Sequence, residues 1–221
     1  AANQNYANSQ TTLGSIYLKG KHTEKDINKA IQYFSLAANQ KHVDAQFYLG
    51  VLYANGEHIN KDISKAIYYF ALAANQNHVN AQYNLGMIYL KETGIEHDIN
   101  KSIHYFTLAA NQKHVNAQYY LGLLYVKGEH VKKDISKAIH YLTLAANQNH
   151  VDAIYNLGMV YLKETGIEHD INKSIHYFTL AANQNYSKAQ YNLGLIYLKE
   201  TGIEHDINKS IHYLTLAANQ N

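Results

Sequence analysis

The chain has 221 residues, of which 47% are hydrophobic and 16% are charged, so it can bury a core and is not disordered by composition. Its nineteen lysines, seventeen acidic residues and lack of arginine give a net charge of +2, which argues against the clustered basic face of a nucleic-acid-binding protein. It has no cysteine, which excludes disulfide bonds and thiolate metal sites, and no apolar stretch of membrane-spanning length.

A repeat of 36 residues dominates the sequence. The string Ala-Ala-Asn-Gln recurs without insertion at Ala1, Ala37, Ala73, Ala109, Ala145, Ala181 and Ala217. A fixed period of this kind is typical of a solenoid, in which each repeat buries its apolar faces against its neighbours. We therefore expect a single repeat domain over residues 1–221, with repeats at 1–36, 37–72, 73–108, 109–144, 145–180 and 181–216 and a partial repeat at 217–221.

The first element of each repeat is predicted to be an amphipathic helix. In the third repeat, Ala81, Leu85 and Ile88 are spaced to share one face of a helix. Gly86 lies on the same face, where the missing side chain lets a neighbouring helix approach. The loop glycine of this repeat, Gly94, stands two places later than in repeats with the other loop sequence, so this helix should end about two residues later.

A second helix is predicted after the loop. Asp98 can accept backbone N–H groups at a helix start and is the predicted N-cap, while Ile99, Ile103 and Phe106 form the apolar stripe that follows. Asn77, just after the preceding second helix, is predicted to take a left-handed conformation. Two such helices cannot cover both stripes alone, so the repeats must stack.

One set of residues in each repeat matches a known pattern. In one copy the set is Ala45, Leu49, Gly50, Tyr53, Gly56, Ile59, Asp62, Lys65, Ala66, Ala73 and Ala74. This pattern resembles the Sel-one-like repeat (SLR) family, a relative of the tetratricopeptide repeat, and the resemblance covers all six repeats. It implies an all-α fold, namely a right-handed α-α superhelical solenoid of helix–turn–helix repeats. It also implies a scaffold or adaptor that is not an enzyme and binds no cofactor.

By resemblance to tetratricopeptide repeats, the first helices should line a concave groove. Their inward positions carry an aromatic residue, an aliphatic residue and an asparagine or lysine, which are Phe47, Val51, Asn55, Tyr83, Met87, Lys91, Tyr119, Leu123, Lys127, Tyr155, Met159, Lys163, Tyr191, Leu195 and Lys199. An apolar floor with a lysine edge suits a peptide or helix of a protein partner, including an acidic one. The alternative is that these residues pack only against the neighbouring helix of the next repeat.

The fourteen histidines fall mainly on two ladders, His42, His78, His114 and His150 and then His104, His140, His176 and His212. Histidines at the same position of successive repeats, which we call rungs, should lie about 10 Å apart. Zinc requires ring nitrogens about 2.1 Å from the metal, so two rungs cannot bind one zinc ion. We therefore interpret the histidines as solvated polar positions and expect no metal site. Because protonation would place like charges on neighbouring rungs, stability should fall between about pH 7.5 and 5.5.

Two further patterns have a structural interpretation. Asp98 and Lys101 could suggest acid–base chemistry, but their recurrence at helix starts favours capping. The segment 100–102 and its copies at Asn172 and Asn208 match the glycosylation sequon, yet they lie in the first turn of a helix and nothing indicates secretion. The sequence contains no phosphate-binding loop, nucleophile elbow or dinucleotide fingerprint.

The last helix keeps the apolar stripe of the internal copies, with Ile207, Ile211, Leu214 and Leu216. One side of this helix should therefore be uncovered. We expect either that the array continues in a longer chain or that the ends of two copies associate.

These observations predict a protein–protein interaction scaffold that binds a peptide or helix in its groove. The first alternative is an architectural spacer or lattice component of a larger assembly, for example a cytoskeletal one, which uses end-to-end or convex contacts. The second is an RNA-binding helical repeat, which the lack of arginine disfavours. We expect no nucleic-acid partner and no membrane insertion. The lack of a visible secretory leader favours the cytoplasm over secretion.

Overall fold

The computed structural model describes residues 2–20, 23–57, 59–91, 98–129, 131–163, 170–199 and 206–219. Two compact units are present, Ala1–His114 (unit 1) and Val115–Asn221 (unit 2). The single domain over residues 1–221 stays a prediction.

Within the described residues the secondary structure is entirely helical. In unit 1 the helices are α1 (Ala2–Lys19), α2 (Ile27–Asn39), α3 (Val43–Asn55), α4 (Ile63–Ala74), α5 (Val79–Lys91) and α6 (Ile99–Asn111). In unit 2 they are α7 (Val115–Lys127), α8 (Ile135–Ala146), α9 (Val151–Lys163), α10 (Ile171–Ala182), α11 (Ser187–Lys199) and α12 (Ile207–Ala218). We call the odd-numbered helices A helices and the even-numbered helices B helices.

Each A helix packs against the B helix that follows it, and B helices pack against the next A helix, as in α4–α5 of unit 1 and α10–α11 of unit 2. Successive A helices also touch, as α3 and α5 do in unit 1 and α7 and α9 in unit 2. The predicted helix–turn–helix repeat is therefore confirmed. The predicted later end of the A helix after Lys91 falls on residues 92–97, outside the described residues.

The B helices start at the predicted aspartate cap. The Asp98 carboxylate accepts a hydrogen bond of 2.9 Å from the backbone N–H of Lys101, which holds the pKa of Asp98 below its ordinary value. The Lys101 ammonium lies 3.2 Å from the same carboxylate. The same hydrogen bond from the backbone caps the other B helices at Asp26, Asp62, Asp134, Asp170 and Asp206. Capping therefore explains this pair, as predicted.

The turn from each B helix to the next A helix depends on one residue with a positive φ. Asn77 has φ 63°, as predicted, and Lys41, Lys113, Asn149 and Asn185 have values between 59° and 64°. Lysine occupies this strained conformation in two turns, so the turn geometry does not depend on asparagine.

A close contact between small and aromatic residues holds the two helices of a repeat together. A Cβ atom on Gly86 would lie 2.6 Å from the ring of Phe106, so only glycine lets α5 and α6 approach this far. The Ser102 hydroxyl donates a 2.8 Å hydrogen bond to the Gly86 carbonyl, which satisfies a polar group at this buried crossing. Gly86 thus plays the part predicted for it.

A tyrosine pair closes the other end of each helix pair. The Tyr89 ring of α5 lies parallel to the Tyr105 ring of α6, with centroids 5.9 Å apart, and the Lys101 ammonium lies 5.2 Å from the Tyr89 centroid. The same stack recurs in every repeat. Offset ring stacking and the cation–π contact together fix the loop end of each repeat.

Candidate protein-binding face

In unit 1, part of the predicted groove forms a real depression between two A helices. Val51 and Asn55 of α3 and Met87 of α5 line a pocket of about 250 Å³, together with Asn84 and Ile88. These side chains meet because α3 and α5 lie side by side and present the same repeat positions. We call this the unit 1 pocket.

In unit 2 the A helices α9 and α11, together with the B helix α12, form a larger depression of about 630 Å³. Its lining includes the predicted residues Tyr155, Met159 and Lys163 of α9 and Tyr191 of α11. The remaining lining residues are Ser187, Lys188, Asn192, Leu214, Ala217 and Ala218. We call this the unit 2 pocket. It carries two lysines, whereas the unit 1 pocket carries no charged residue.

The predicted aromatic row takes part in packing between repeats. The Phe47 ring of α3 stacks on the His78 ring at the start of α5, with centroids 4.4 Å apart. Tyr83 makes the same contact with His114, and Tyr119 makes it with His150. The alternative of inter-repeat packing therefore describes Phe47 and Tyr83 well, and a role of these rings in binding stays a prediction.

The other predicted residues are arranged as expected along the A helices. The aliphatic members are half-buried, namely Val51, Met87, Leu123, Met159 and Leu195. The members at the helix ends are exposed, namely Asn55, Lys91, Lys127, Lys163 and Lys199. The A helices thus present an apolar strip with a polar edge, and we call the predicted groove residues as a set the A-helix face.

A row of asparagines on the same face was not predicted. Asn84 lines the unit 1 pocket, and Asn192 lines the unit 2 pocket. The Asn192 amide donates to the Tyr155 hydroxyl at 3.2 Å and lies 3.6 Å from the Met159 sulfur. The signal was present, because Asn84 lies three residues before Met87 and therefore on the same side of the helix. It was missed because asparagine is abundant throughout the chain.

The first histidine ladder has a structural role that the sequence interpretation missed. The Nδ1 atom of His78 accepts a 3.1 Å hydrogen bond from the Ala81 N–H and so caps α5, while its Nε2 atom lies 3.6 Å from the Asp44 carboxylate. Burial lowers the pKa of His78, although Asp44 acts in the opposite direction, and burial also lowers the pKa of His114. The interpretation as solvated positions is therefore wrong for these two residues.

The second ladder differs from the first, since His104, His140, His176 and His212 are exposed, as predicted. Among the described residues, no group of three or more histidine or acidic side chains is placed to hold a metal ion. No helix in the described part of the chain is long and apolar enough to cross a membrane.

We call the turn from a B helix to the next A helix a B–A joint. At the α10–α11 joint of unit 2, tyrosine replaces histidine. The Tyr186 hydroxyl donates a 2.7 Å hydrogen bond to Asp152, and its ring lies 5.1 Å from the Tyr155 ring. Burial, followed by the contact with Asp152, raises the pKa of Tyr186 above its ordinary value. Tyr186 therefore holds α11 against α9 without a group that titrates near neutral pH.

The structural comparisons agree with this architecture. A protective antigen of uropathogenic Escherichia coli that displays an SLR fold superposes with a TM-score of 0.89 at 30% identity over 99% of this chain. This chain spans 47% of the length of that antigen. A Sel1 repeat protein from Oxalobacter formigenes superposes with a TM-score of 0.75 at 29% identity, over 97% of this chain and 88% of its own. No curated protein matches the sequence.

The sequence also matches a repeat family along almost its whole length. The Sel1 repeat matches residues 7–42, 43–78, 79–114, 115–150, 151–186 and 187–221. The predicted all-α solenoid of six helix–turn–helix repeats is thereby confirmed. Sel1 repeats are non-catalytic scaffolds that generally mediate protein–protein interaction. The chain belongs to the Sel1 repeat family.

Proposed function

We propose that this chain is a non-catalytic adaptor that binds a segment of another protein along its A-helix face. The observation that carries the proposal is the pair of pockets on the A-helix face, each lined by apolar side chains and at least one asparagine amide. Apolar anchors supply most of the binding energy in such interfaces, and a few polar groups fix the orientation of the bound segment.

The unit 1 pocket suits an uncharged, apolar side chain of the partner. Val51, Met87 and Ile88 supply an apolar lining, and the amides of Asn55 and Asn84 lie at the same pocket. An amide can both donate to and accept from the backbone of a bound peptide. A volume of about 250 Å³ holds one or two side chains, so a short apolar motif is the expected ligand here.

The unit 2 pocket suits an apolar side chain next to an acidic one. Met159 and Tyr191 supply the apolar lining, and Lys163 and Lys188 bring two positive charges to it. Asp152, the nearby acid, accepts a hydrogen bond from Tyr186. Charge complementarity with a partner carboxylate speeds association and selects acidic segments.

Selection of random peptides displayed on phage, with the whole chain as the bait, tests this function. The enriched peptides should combine apolar and acidic residues. Met159→Ala should weaken the selected peptides about tenfold, because the side chain contributes apolar area to the pocket. Lys188→Asp should weaken the acidic ones up to about fivefold, since an exposed ion pair contributes little. The fold tolerates aspartate there, because Asp44 and Asp152 occupy the same repeat position.

Lys132→Asp is the matched control, because it makes the same change of charge at an exposed loop residue that lines neither pocket. Its affinity for the selected peptides should equal that of the wild type. Peptides that bind all three variants and the wild type equally, or a selection that enriches none, would contradict the proposal.

An architectural role is the second candidate, and an exposed apolar surface favours it. Ile207 on α12 is 56% exposed, whereas Ile171, at the same position one repeat earlier, is 8% exposed because the next A helix covers it. This surface can receive a further A-type helix, supplied by a longer array or by the end of a second copy. Light scattering of Ile207→Lys/Ile211→Lys beside the wild type tests end-to-end association, which this variant should abolish.

A further inference from the structure

Every B helix carries a leucine at one repeat position that is at least partly open to solvent, namely Leu36, Leu72, Leu108, Leu144, Leu180 and Leu216. Leu36, Leu180 and Leu216 are 43%, 41% and 39% exposed. The leucine lies away from the buried side of its helix, which in α8 is formed by Ala138, Leu142 and Ala145. The leucines of the other three repeats, Leu72, Leu108 and Leu144, are half-buried. Core packing does not explain why all six repeats keep a leucine at a position that is at least partly open to solvent.

The same side of the B helices is free of net charge. The only charged side chain within each B helix is the lysine of its first turn, as in Lys137 and Lys173. That lysine is paired with the aspartate cap at distances of 3.2 to 3.6 Å in unit 2. Beyond the first turn the outward positions carry histidine, threonine, leucine and asparagine. We call these positions in unit 2 the outer B-helix face, with the rungs His140 and Leu144, His176 and Leu180, and His212 and Leu216.

We propose that the outer B-helix face of unit 2 pairs with the same face of a second copy. Its three rungs are nearly identical in sequence, since α8, α10 and α12 all contain the segment His-Tyr-x-Thr-Leu-Ala-Ala. A partner that covers all three leucines must present apolar side chains at the same spacing, and this chain presents them itself. A two-fold axis sets each rung against a rung of the other copy, as in an isologous dimer.

The chemistry of the face fits a copy of itself better than a charged partner. Two copies meet there without like-charge repulsion, because the lysines are neutralised by their aspartate caps. Asparagine side chains donate and accept hydrogen bonds equally, so two identical faces satisfy one another. In the described residues of α8, α10 and α12 each lysine is paired with its aspartate cap, so these helices offer a nucleic acid or an acidic peptide little to select.

The expected size of the contact predicts a weak dimer. A helix of twelve residues is about 18 Å long, and three helices about 10 Å apart offer about 500 Å² per copy. The total of about 1,000 Å² lies at the lower end of specific interfaces. Association is therefore expected at micromolar to millimolar concentration.

Sedimentation velocity tests the proposal. Protein concentrations of about 10 µM to 1 mM are suitable, because a contact of this size is expected to give a weak dimer. The wild type should pass from monomer to dimer, and Leu144→Lys/Leu180→Lys should dimerise at least ten times more weakly. Asn80→Lys/Asn116→Lys is the matched control, because it adds the same charge at two exposed A-helix residues. The repeat accepts lysine at this position, since Lys188 occupies it in α11. This control should dimerise like the wild type, and circular dichroism checks that all variants remain helical.

Cross-linking supplies a second test that does not depend on a destabilising change. The chain has no cysteine, so His176→Cys, in the middle rung, gives a single thiol on the face. Mild oxidation should yield a disulfide-linked dimer, whereas Asn116→Cys should remain monomeric. A wild type that stays monomeric to the highest concentration overturns the proposal. Dimerisation that survives in Leu144→Lys/Leu180→Lys but is lost in Ile207→Lys/Ile211→Lys also overturns it, in favour of end-to-end contact.

Discussion

The α4–α5 joint of unit 1 and the α10–α11 joint of unit 2 occupy the same place in the repeat but are closed by different side chains. In the first, His78 stacks on Phe47 and caps α5 through its Nδ1 atom. In the second, Tyr186 packs against Tyr155 and donates its hydroxyl proton to a hydrogen bond with Asp152. A contact between two rings is common to both joints, although the rings are stacked in the first and tilted in the second, and the polar contact also differs. The repeat therefore tolerates exchange of its capping group as long as a ring fills the joint.

The largest effect is expected from removal of the buried ring beneath each joint. Phe70 contacts Phe47, and Phe178 contacts Tyr155, in both cases with tilted rings. Because both phenylalanines are fully buried, Phe70→Ala and Phe178→Ala should each reduce the free energy of unfolding by about 3–5 kcal/mol. Urea denaturation followed by circular dichroism measures this loss.

Tyr68→Ala provides the control for that measurement, because Tyr68 is exposed on a B helix and its removal leaves no buried cavity. A loss at Phe178 less than half that at Phe70 would mean that the two joints do not share one packing arrangement.

A smaller loss of stability, specific to the joints closed by histidine, is expected when the pH is lowered. Burial lowers the pKa of His78 and His114 in the folded chain, so the unfolded chain binds protons more readily at these residues. Their contribution to stability is complete above the ordinary histidine pKa of about 6.5 and is lost as the pH falls below it. Protonation also removes the Nδ1 acceptor that caps α5 and places a positive charge at a helix start.

The melting temperature should therefore fall by a few degrees between about pH 7.5 and 5.5, and His78→Tyr should reduce the fall. Tyrosine is compatible with this position because Tyr186 occupies it in unit 2. His104→Tyr is the matched control, since His104 is exposed and Tyr68 occupies its repeat position. An equal effect of both substitutions would favour the repulsion between ladder rungs that the sequence first suggested.

A still smaller effect is expected at the tyrosine joint. Tyr186→Phe keeps the ring and removes the hydrogen bond to Asp152, so the free energy of unfolding should fall by about 1 kcal/mol. Tyr6→Phe, at the same repeat position on α1, should change nothing, because Tyr6 is exposed. Thermal unfolding of both variants at neutral pH measures the difference. An equal and negligible change in both would show that the hydroxyl of Tyr186 does not stabilise the joint.

These joints also show where prediction from the sequence succeeded and where it stopped. The Asp98 cap, the left-handed Asn77 and the close approach at Gly86 were all predictable, because each depends on local geometry or on the helical period. The role of His78 was not, since its burial results from stacking on Phe47, thirty-one residues earlier, and no periodic signal indicates which ring covers it. The pockets of the A-helix face likewise require the spacing of two helices, which the sequence does not supply.

The smallest loss of stability is expected at the buried glutamine Gln82, whose repeat position is occupied by Ile154 in α9. Gln82 donates to the Ala74 carbonyl at 3.3 Å and accepts from the Gln112 amide at 2.8 Å, whereas Ile154 is buried at the same position. Gln82→Ile should cost less than about 1 kcal/mol, because a buried amide is replaced by an apolar side chain of similar volume and the exposed Gln112 can bind water. Gln82→Ala should cost more, since it leaves a cavity. If urea denaturation gave equal losses for the two variants, the amide hydrogen bonds rather than the filled volume would hold this joint, and the tolerance of α9 for isoleucine would need another cause.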